Sequence, residues 1–453
     1  MFSKSCLLKL GCILACALML LHRNVMLAQQ PPAEALSKIL ERLDQLEKQN
    51  KELISEIQAL RADLQKENAL AASDAQDVEE KVEVAQQRID EQAQTKVEAS
   101  QRFPISLTGM FLFDSFLTHG PRSQAFQDRY EDYSLGAPGG GANLNQSIIG
   151  LNFHGPQIPG DGRINGYLAM DFYGYAGSDS LFRIRRGVVS FDWKNRSIIV
   201  GQDKSIIAPF EPTSFARVAI PPLSGSGNLW LWRPQVTYEE RLPISESNKL
   251  TFRASVFETD ERNTAPSLAG TSSLDPSRPA AQGRVQWQHK FSNSSIIAFG
   301  LAGDASTTHV LGRSVPSRVI SADFLIKPRT WLEITGTLLH GKNFANLGGI
   351  PAGVTITSDG NVIPIRGNAG WLQAAFPVTK RLTFDVYTGR QVNNSDDLSP
   401  FEVFKNDTFA ANVLYRIAPN VVLGFEGARN QLDYLNGLMF RTNRYDATVA
   451  YLF

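Results

Sequence analysis

Sulfur chemistry is nearly absent from this chain of 453 residues. Its three cysteines, Cys6, Cys12 and Cys16, all lie near the start and none follows, which leaves no disulfide and no Cys-based metal site beyond them. Residues 34–98 contain no glycine, no proline and no aromatic side chain. Past residue 28 no apolar run approaches the roughly 18 residues that a membrane-spanning helix needs. A membrane crossing would therefore have to be made by strands closed into a barrel. Neither charge sign dominates, with 45 basic and 45 acidic side chains, so nothing argues for nucleic acid as a partner. We expect no cofactor and no metal.

What is present begins with a targeting pattern. Lys4 and Lys9 precede an apolar run from Leu10 to Leu21, and Ala28 stands before Gln29-Gln30-Pro31-Pro32. This layout predicts a secretory signal peptide over 1–28, although Met26 is an unusual residue three positions before the cleavage site. Ile13-Leu14-Ala15-Cys16 faintly matches a lipoprotein signal, but the apolar run continues past Cys16. Removal of 1–28 takes Lys4, Lys9 and Arg23 away and leaves a slight acidic excess.

Residues 29–102 read as a periplasmic coiled coil and linker. Leu36 and Ile39, Leu43 and Leu46, Asn50 and Leu53, Ile57 and Leu60, then Leu64 repeat every seven residues in 3-4 spacing. Such heptads specify a helical coiled coil. Asn50 at a core position costs stability but selects register and strand number. The Leu and Ile mixture leaves two and three strands equally open. From Ala69 to Ala99 the pattern weakens to Val78, Val82, Ala85 and Ile89, a looser helix or a linker.

From 103 to 453 the chain predicts an all-β transmembrane barrel of 16 antiparallel strands in the bacterial outer membrane. The final strand shows why. Tyr445, Ala447, Val449, Tyr451 and Phe453 alternate with Arg444, Asp446, Thr448 and Ala450, one apolar face against one polar face. An aromatic-rich outer face opposed by charges suits a barrel wall around a wet lumen. A terminal Phe resembles the assembly signal of outer-membrane barrels. Short polar turns alternate with long loops, expected at 118–144, 174–181, 205–232, 259–278, 304–317, 341–366, 392–403 and 431–443. Bacterial barrels carry short periplasmic turns and longer outer loops in this way. One strand resists the pattern. In Phe182-Arg-Ile-Arg-Arg-Gly-Val-Val-Ser-Phe-Asp-Trp193, the frame that turns Phe191 and Trp193 outward turns Arg183 and Arg185 outward too. A bulge or a subunit interface would resolve it.

The third outer loop, 205–232, is unusually apolar, with Ile206, Ile207, Phe210, Phe215, Leu223, Leu229, Trp230 and Trp232. Such surface must pack, either inside the barrel, where it narrows the lumen, or as a lid or latch. Glu211 and Arg217 are its charged residues and are expected to border the constriction. Arg233, Arg253 and Arg284 fall on the polar faces of three successive strands, with Lys290 further along the third. We expect these six to line the pore and bind solute, because arginine forks match carboxylates. Arg183, Arg185, Arg186 and Lys204 join these arginines and Lys290 in a basic wall between the fourth and eighth strands. Asp323, Glu333, Asp385 and Glu426 on later strands would form an acidic wall opposite, giving a transverse field and a modest anion bias. The same charges would also serve simply to keep the lumen wet.

Several motifs resemble, in order and spacing, the DcaP-like porins. They are Asn145-Gln-Ser-Ile-Ile-Gly-Leu151, Gly166-Tyr-Leu-Ala-Met-Asp-Phe-Tyr-Gly174, Phe182-Arg-Ile-Arg-Arg186, Val200-Gly-Gln202 and Arg233-Pro-Gln-Val-Thr-Tyr238. The chain departs at Ile148-Ile149, where that family tends to carry a basic residue. Phosphate-selective porins, some of which also carry a coiled coil, are a second resemblance. The resemblance implies a homotrimer in outer-membrane lipid and passage of small anions such as dicarboxylates. Two other function classes compete with a diffusion channel. One is a structural tether reaching peptidoglycan through the coiled coil. The other is an outer-membrane hydrolase, but His119, His154, His289, His309 and His340 are scattered and no Ser–His–acid layout is discernible.

Overall fold

The computed structural model describes residues 45, 48–58, 104–119, 139–176, 179–259, 264, 265, 268, 279–292 and 294–453. The chain divides into two units, Met1–Ser100 and Gln101–Phe453. In the first, residues 48–58 are helical, and Leu53, Ile54 and Ile57 on this helix are exposed. The signal peptide and most of the heptad run lie outside the described residues.

The second unit is a closed antiparallel barrel. Its strands are β1 (Ile105–His119), β2 (Gly139–Asn143), β3 (Ile148–Ile158), β4 (Gly162–Ala176), β5 (Asp179–Asp192), β6 (Arg196–Lys204), β7 (Trp232–Pro243), β8 (Asn248–Glu258), β9 (Pro279–Ser292) and β10 (Ser295–Val310). They continue with β11 (Arg313–Arg329), β12 (Leu332–Lys342), a small β13–β14 hairpin (Val354–Ile356 and Val362–Pro364), β15 (Arg366–Pro377), β16 (Leu382–Asn393), β17 (Val403–Ala418), β18 (Val421–Tyr434) and β19 (Met439–Leu452). Each wall strand pairs with its sequence neighbour, and β1 closes on β19 from Met110↔Leu452 to His119↔Asn443. Both β2 and β3 pair with β1, so they are two halves of one wall strand and the wall counts sixteen.

The expected alternation decides facing. In β19, Tyr445, Val449 and Tyr451 are exposed, whereas Arg444, Asp446, Thr448 and Ala450 are buried toward the lumen. In β9, Val285 and Trp287 are exposed while Gln282 and Arg284 are buried. At the short-turn end, Trp331, Tyr415 and Tyr451 stand on the outer surface, where aromatic girdles belong.

Two expectations change. Residues 174–181, 304–317 and 431–443 are mostly strand rather than loop, because the β4–β5, β10–β11 and β18–β19 ladders continue almost to their turns. The β10–β11 turn needs only Leu311 and Gly312, both at positive φ (52° and 72°), the backbone of a tight two-residue hairpin. The misaligned strand also resolves. The β4–β5 register slips between Ala169↔Arg186 and Met170↔Ile184, making Arg185 the extra residue of a bulge. Arg183 and Arg186 thereby bond inward to Asp171 and Asp203, while Phe182 and Ile184 remain exposed.

Candidate functional site

Between Lys204 and Trp232 the chain turns into the barrel and stays there. Ile206, Ile207, Ala208 and Leu229 pack with Phe257, Ala280, Val319, Leu339 and Ala369 of the wall, and with Phe344 and Leu347 of the β12–β13 connection. Leu223 packs with Trp371, Tyr387, Ala410 and Ala428, and Phe215 and Val218 pack against Leu112, Val422 and Ala450. The lid reading therefore fails. The apolar loop has found apolar partners on the inner face of the wall, each fully buried Leu or Ile contributing about 1.5–3 kcal/mol.

Side chains of the wall also satisfy polar groups along the loop, backbone amides and carbonyls among them. Gln146, at the break between β2 and β3, donates to the Ala216 carbonyl (2.8 Å) and accepts from the Val218 and Ala219 amides (2.6 and 3.1 Å). Gln282 accepts from Ser205 Oγ and the Ile206 amide, and Gln373 from the Thr213 amide (2.7 Å). Glu426 accepts from Ser214 Oγ (2.6 Å), and Asn406 donates to the Gly225 carbonyl (3.0 Å). The loop tip rests directly on wall backbone. A Cβ added at Gly389 would lie 2.1 Å from the Ser226 carbonyl oxygen.

A cavity of about 600 Å³ remains between this loop and β4–β8. Its charged lining is Arg185, Arg186, Lys204 and Arg253 against Asp203 and Glu211. Arg186 bonds both oxygens of Asp203 (2.6 and 3.0 Å), and Lys204 pairs with Glu211 at 2.5 Å. Asp171 is shared, 2.6 Å from Arg183 and 3.6 Å from Arg185. Glu239 is shared likewise by Arg241 and Arg253, each at 2.5 Å. Two carboxylates that each serve two arginines leave the cluster with surplus positive charge. The Arg183 and Arg185 guanidinium carbons also lie 5.3 and 4.8 Å from the Trp232 ring centroid, a cation–π arrangement that orients them.

Of the six residues expected at the pore, Arg253 and Glu211 border this cavity. Arg233 lies on the inner face opposite Asp203 in the β6–β7 ladder but outside the cavity lining. Arg217 sits elsewhere on the inserted loop, its amide bonded to Ser214 Oγ. Arg284 is buried in an ion pair with Asp323, and Lys290 is exposed near the short turn after β9. The opposing acidic wall also needs correction. Asp385 and Glu426 are 1% and 6% exposed, bonded to Gln373 and to Ser214 and Tyr387. The inserted loop covers that side, so these acids do not face the cavity.

Arg185, Arg186 and Lys204 belong to the basic wall read between the fourth and eighth strands, whereas Asp203 and Trp232 were not anticipated. The density of basic residues between β4 and β8 was a usable signal. The bulge that turns three arginines to one side was not.

No protein-family model matches this chain, and no curated protein matches its sequence. Solved structures do match its fold. The outer membrane channel DcaP of Acinetobacter baumannii has a TM-score of 0.63 at 16% identity, covering 77% of this chain and 97% of that one. OprB of Pseudomonas putida has a TM-score of 0.51 at 9% identity, with coverage of 79% and 96%. An anion-selective porin from Comamonas acidovorans has a TM-score of 0.50 at 15% identity, with coverage of 77% and 99%. The architecture is that of the sixteen-stranded porin barrels. Of these three structures DcaP has the highest TM-score, in keeping with the resemblance read from the sequence motifs.

Proposed function

We propose that the protein is an outer-membrane porin, a water-filled diffusion channel for small hydrophilic solutes with a preference for anions such as small dicarboxylates. The observation that carries this reading is the cavity between the inserted loop and β4–β8, lined by Arg185 and Arg253, which share Asp171 and Glu239 with Arg183 and Arg241. Desolvating an anion in a narrow passage is costly unless fixed positive charge replaces its water. The surplus arginine of each pair lowers that cost for anions and raises it for cations. Carboxylate is the favoured anion class because a guanidinium can offer it two parallel hydrogen bonds. The partner carboxylates keep each site weak enough to release its solute. Arg217, Arg233 and Lys290 act in this reading at a distance, through the field of the lumen, whereas Arg284 is neutralised by Asp323.

The protein assembles, in the same reading, as a homotrimer in outer-membrane lipid, with residues 29–102 a periplasmic coiled coil after a signal peptide over 1–28. The heptads and the exposed Leu53, Ile54 and Ile57 on helix 48–58 support it. A structural tether to peptidoglycan is the second reading. Conductance of the purified protein in a planar bilayer tests both. Discrete open-channel steps with an anion-directed reversal potential under a salt gradient are expected. Absence of conductance would leave the tether.

A further inference from the structure

The outer wall carries a cationic row that the channel reading does not use. Arg318 on β11 is the direct cross-strand neighbour of Lys342 on β12, and Lys342 that of Arg366 on β15. Facing follows from the flanking residues. Val319, Ser321, Leu339, Ala369 and Trp371 are buried, whereas Ile320 and Leu338 are each 63% exposed and Leu372 is 44% exposed. Arg318, Lys342 and Arg366 share the parity of the exposed set and point away from the lumen. Like charges placed opposite one another on adjacent strands destabilise a sheet. Arg366 is bonded to Asp397 through Nε and Nη2 at 2.8 Å each, and the same carboxylate attracts Lys342 electrostatically without a hydrogen bond. Among the described residues Arg318 has no acidic partner.

The row also lies at a defined height. It is at the end of the barrel with the long connections, which faces outward in bacterial barrels. Ile320 is two residues further into the wall than Arg318, and Leu338 four residues further in than Lys342, on the same face. Directly beneath Lys342 and Arg366 the outward pair is His340 and Asn368, hydrogen-bonded at 2.8 Å. The cations therefore stand one polar layer above Leu338 and Leu372, with Ile320 beneath Arg318, at headgroup level.

We propose that this row is a docking surface for the phosphate groups of an outer-leaflet lipid. An anionic phosphate placed between Arg318 and Lys342 would relieve their repulsion and accept charge-assisted hydrogen bonds from both. The acyl chains of the same molecule would lie along Ile320, Leu338 and Leu372. Arg366 contributes field while remaining held by Asp397. This rests on the outer-membrane location in the proposed function and is independent of what passes the lumen.

The test is native mass spectrometry of the full-length purified protein, titrated with phosphorylated lipid A and with the same lipid after enzymatic removal of its phosphates. The wild type should retain the phosphorylated lipid at least about tenfold more strongly, and millimolar inorganic phosphate should not displace it. The double variant Arg318→Gln/Lys342→Gln should lose that difference. The single variant Arg318→Gln should weaken it partially, which covers the case in which the double variant folds poorly. Equal retention of both lipids by the wild type, displacement by free phosphate, or undiminished retention by both variants would overturn the proposal.

Discussion

Arg284 on β9 reaches over β10 to grip both oxygens of Asp323 on β11, and both side chains are 1% exposed. The residue between them is Gly300, paired with Asp323 in the β10–β11 ladder. Its missing side chain makes the crossing possible, since a Cβ there would lie 2.3 Å from Arg284 Nη2. Arg284 is thus neutralised within the wall. Removing one partner of a buried ion pair strands the other charge and costs roughly 3–5 kcal/mol. Arg284→Ala should therefore lower barrel stability in denaturant titration by about that amount while leaving ion selectivity nearly unchanged. A large selectivity change with intact stability would show that Arg284 faces the solute path after all.

Selectivity should respond instead at the shared carboxylates. Arg185→Gln leaves Asp171 its bond to Arg183, and Arg253→Gln leaves Glu239 its bond to Arg241. Each substitution removes one surplus charge without orphaning an acid. The double variant should move the reversal potential in a salt gradient toward cation preference, with single-channel conductance still measurable. An unmoved reversal potential would assign the anion preference to other residues.

The inserted loop should set the size of the opening. Replacing residues 209–227 by a short Gly-Ser link should raise conductance and admit larger solutes. A single substitution offers a finer probe. Gly389→Val puts side-chain atoms where Ser226 and Leu223 now rest, so it should lift the loop tip and increase current noise without unpairing β16. Conductance unchanged in both variants would mean that the loop does not limit flow.

Outside the membrane, Asp397 ties the β16–β17 connection to Arg366. Burial pushes its carboxyl up, but the hydrogen bonds from the Arg366 side chain and backbone amide outweigh this and hold it below the usual carboxylate range. A depressed folded-state value means that the stabilisation is fully present above the unfolded value near 3.9 and disappears as pH falls through the folded one. Protease nicking at 394–402 should thus stay slow down to about pH 4 and increase below it. Asp397→Asn should show the fast rate already at neutral pH.

Deleting residues 29–102 after the signal should weaken assembly without unfolding the barrel. Native mass measurement in detergent should give three chains for the full protein and a larger monomer fraction for the truncated one. A monomer in both cases would remove the coiled coil and the trimer from the reading together.

The alternation of Tyr445, Val449 and Tyr451 with Arg444, Asp446 and Thr448 was enough to determine a one-sided strand. Repetition of that pattern between polar turns determined the barrel. Both signals are local, because side-chain facing in a strand has period two and needs no knowledge of the partner. The apolar content of 205–232 likewise required that the loop be packed. Only the tertiary structure decided where. The apolar inner-face residues Phe257, Val319, Trp371 and Tyr387 come from strands far apart in sequence and meet only when the sheet closes. The candidate site depended on register as well. One extra residue at Arg185 reverses the facing of everything after it on β5, and the glycine that lets Arg284 meet Asp323 lies on the strand between them. Charge identity is written in the sequence, but the pairing that leaves Arg185 and Arg253 in surplus is a property of three-dimensional neighbours.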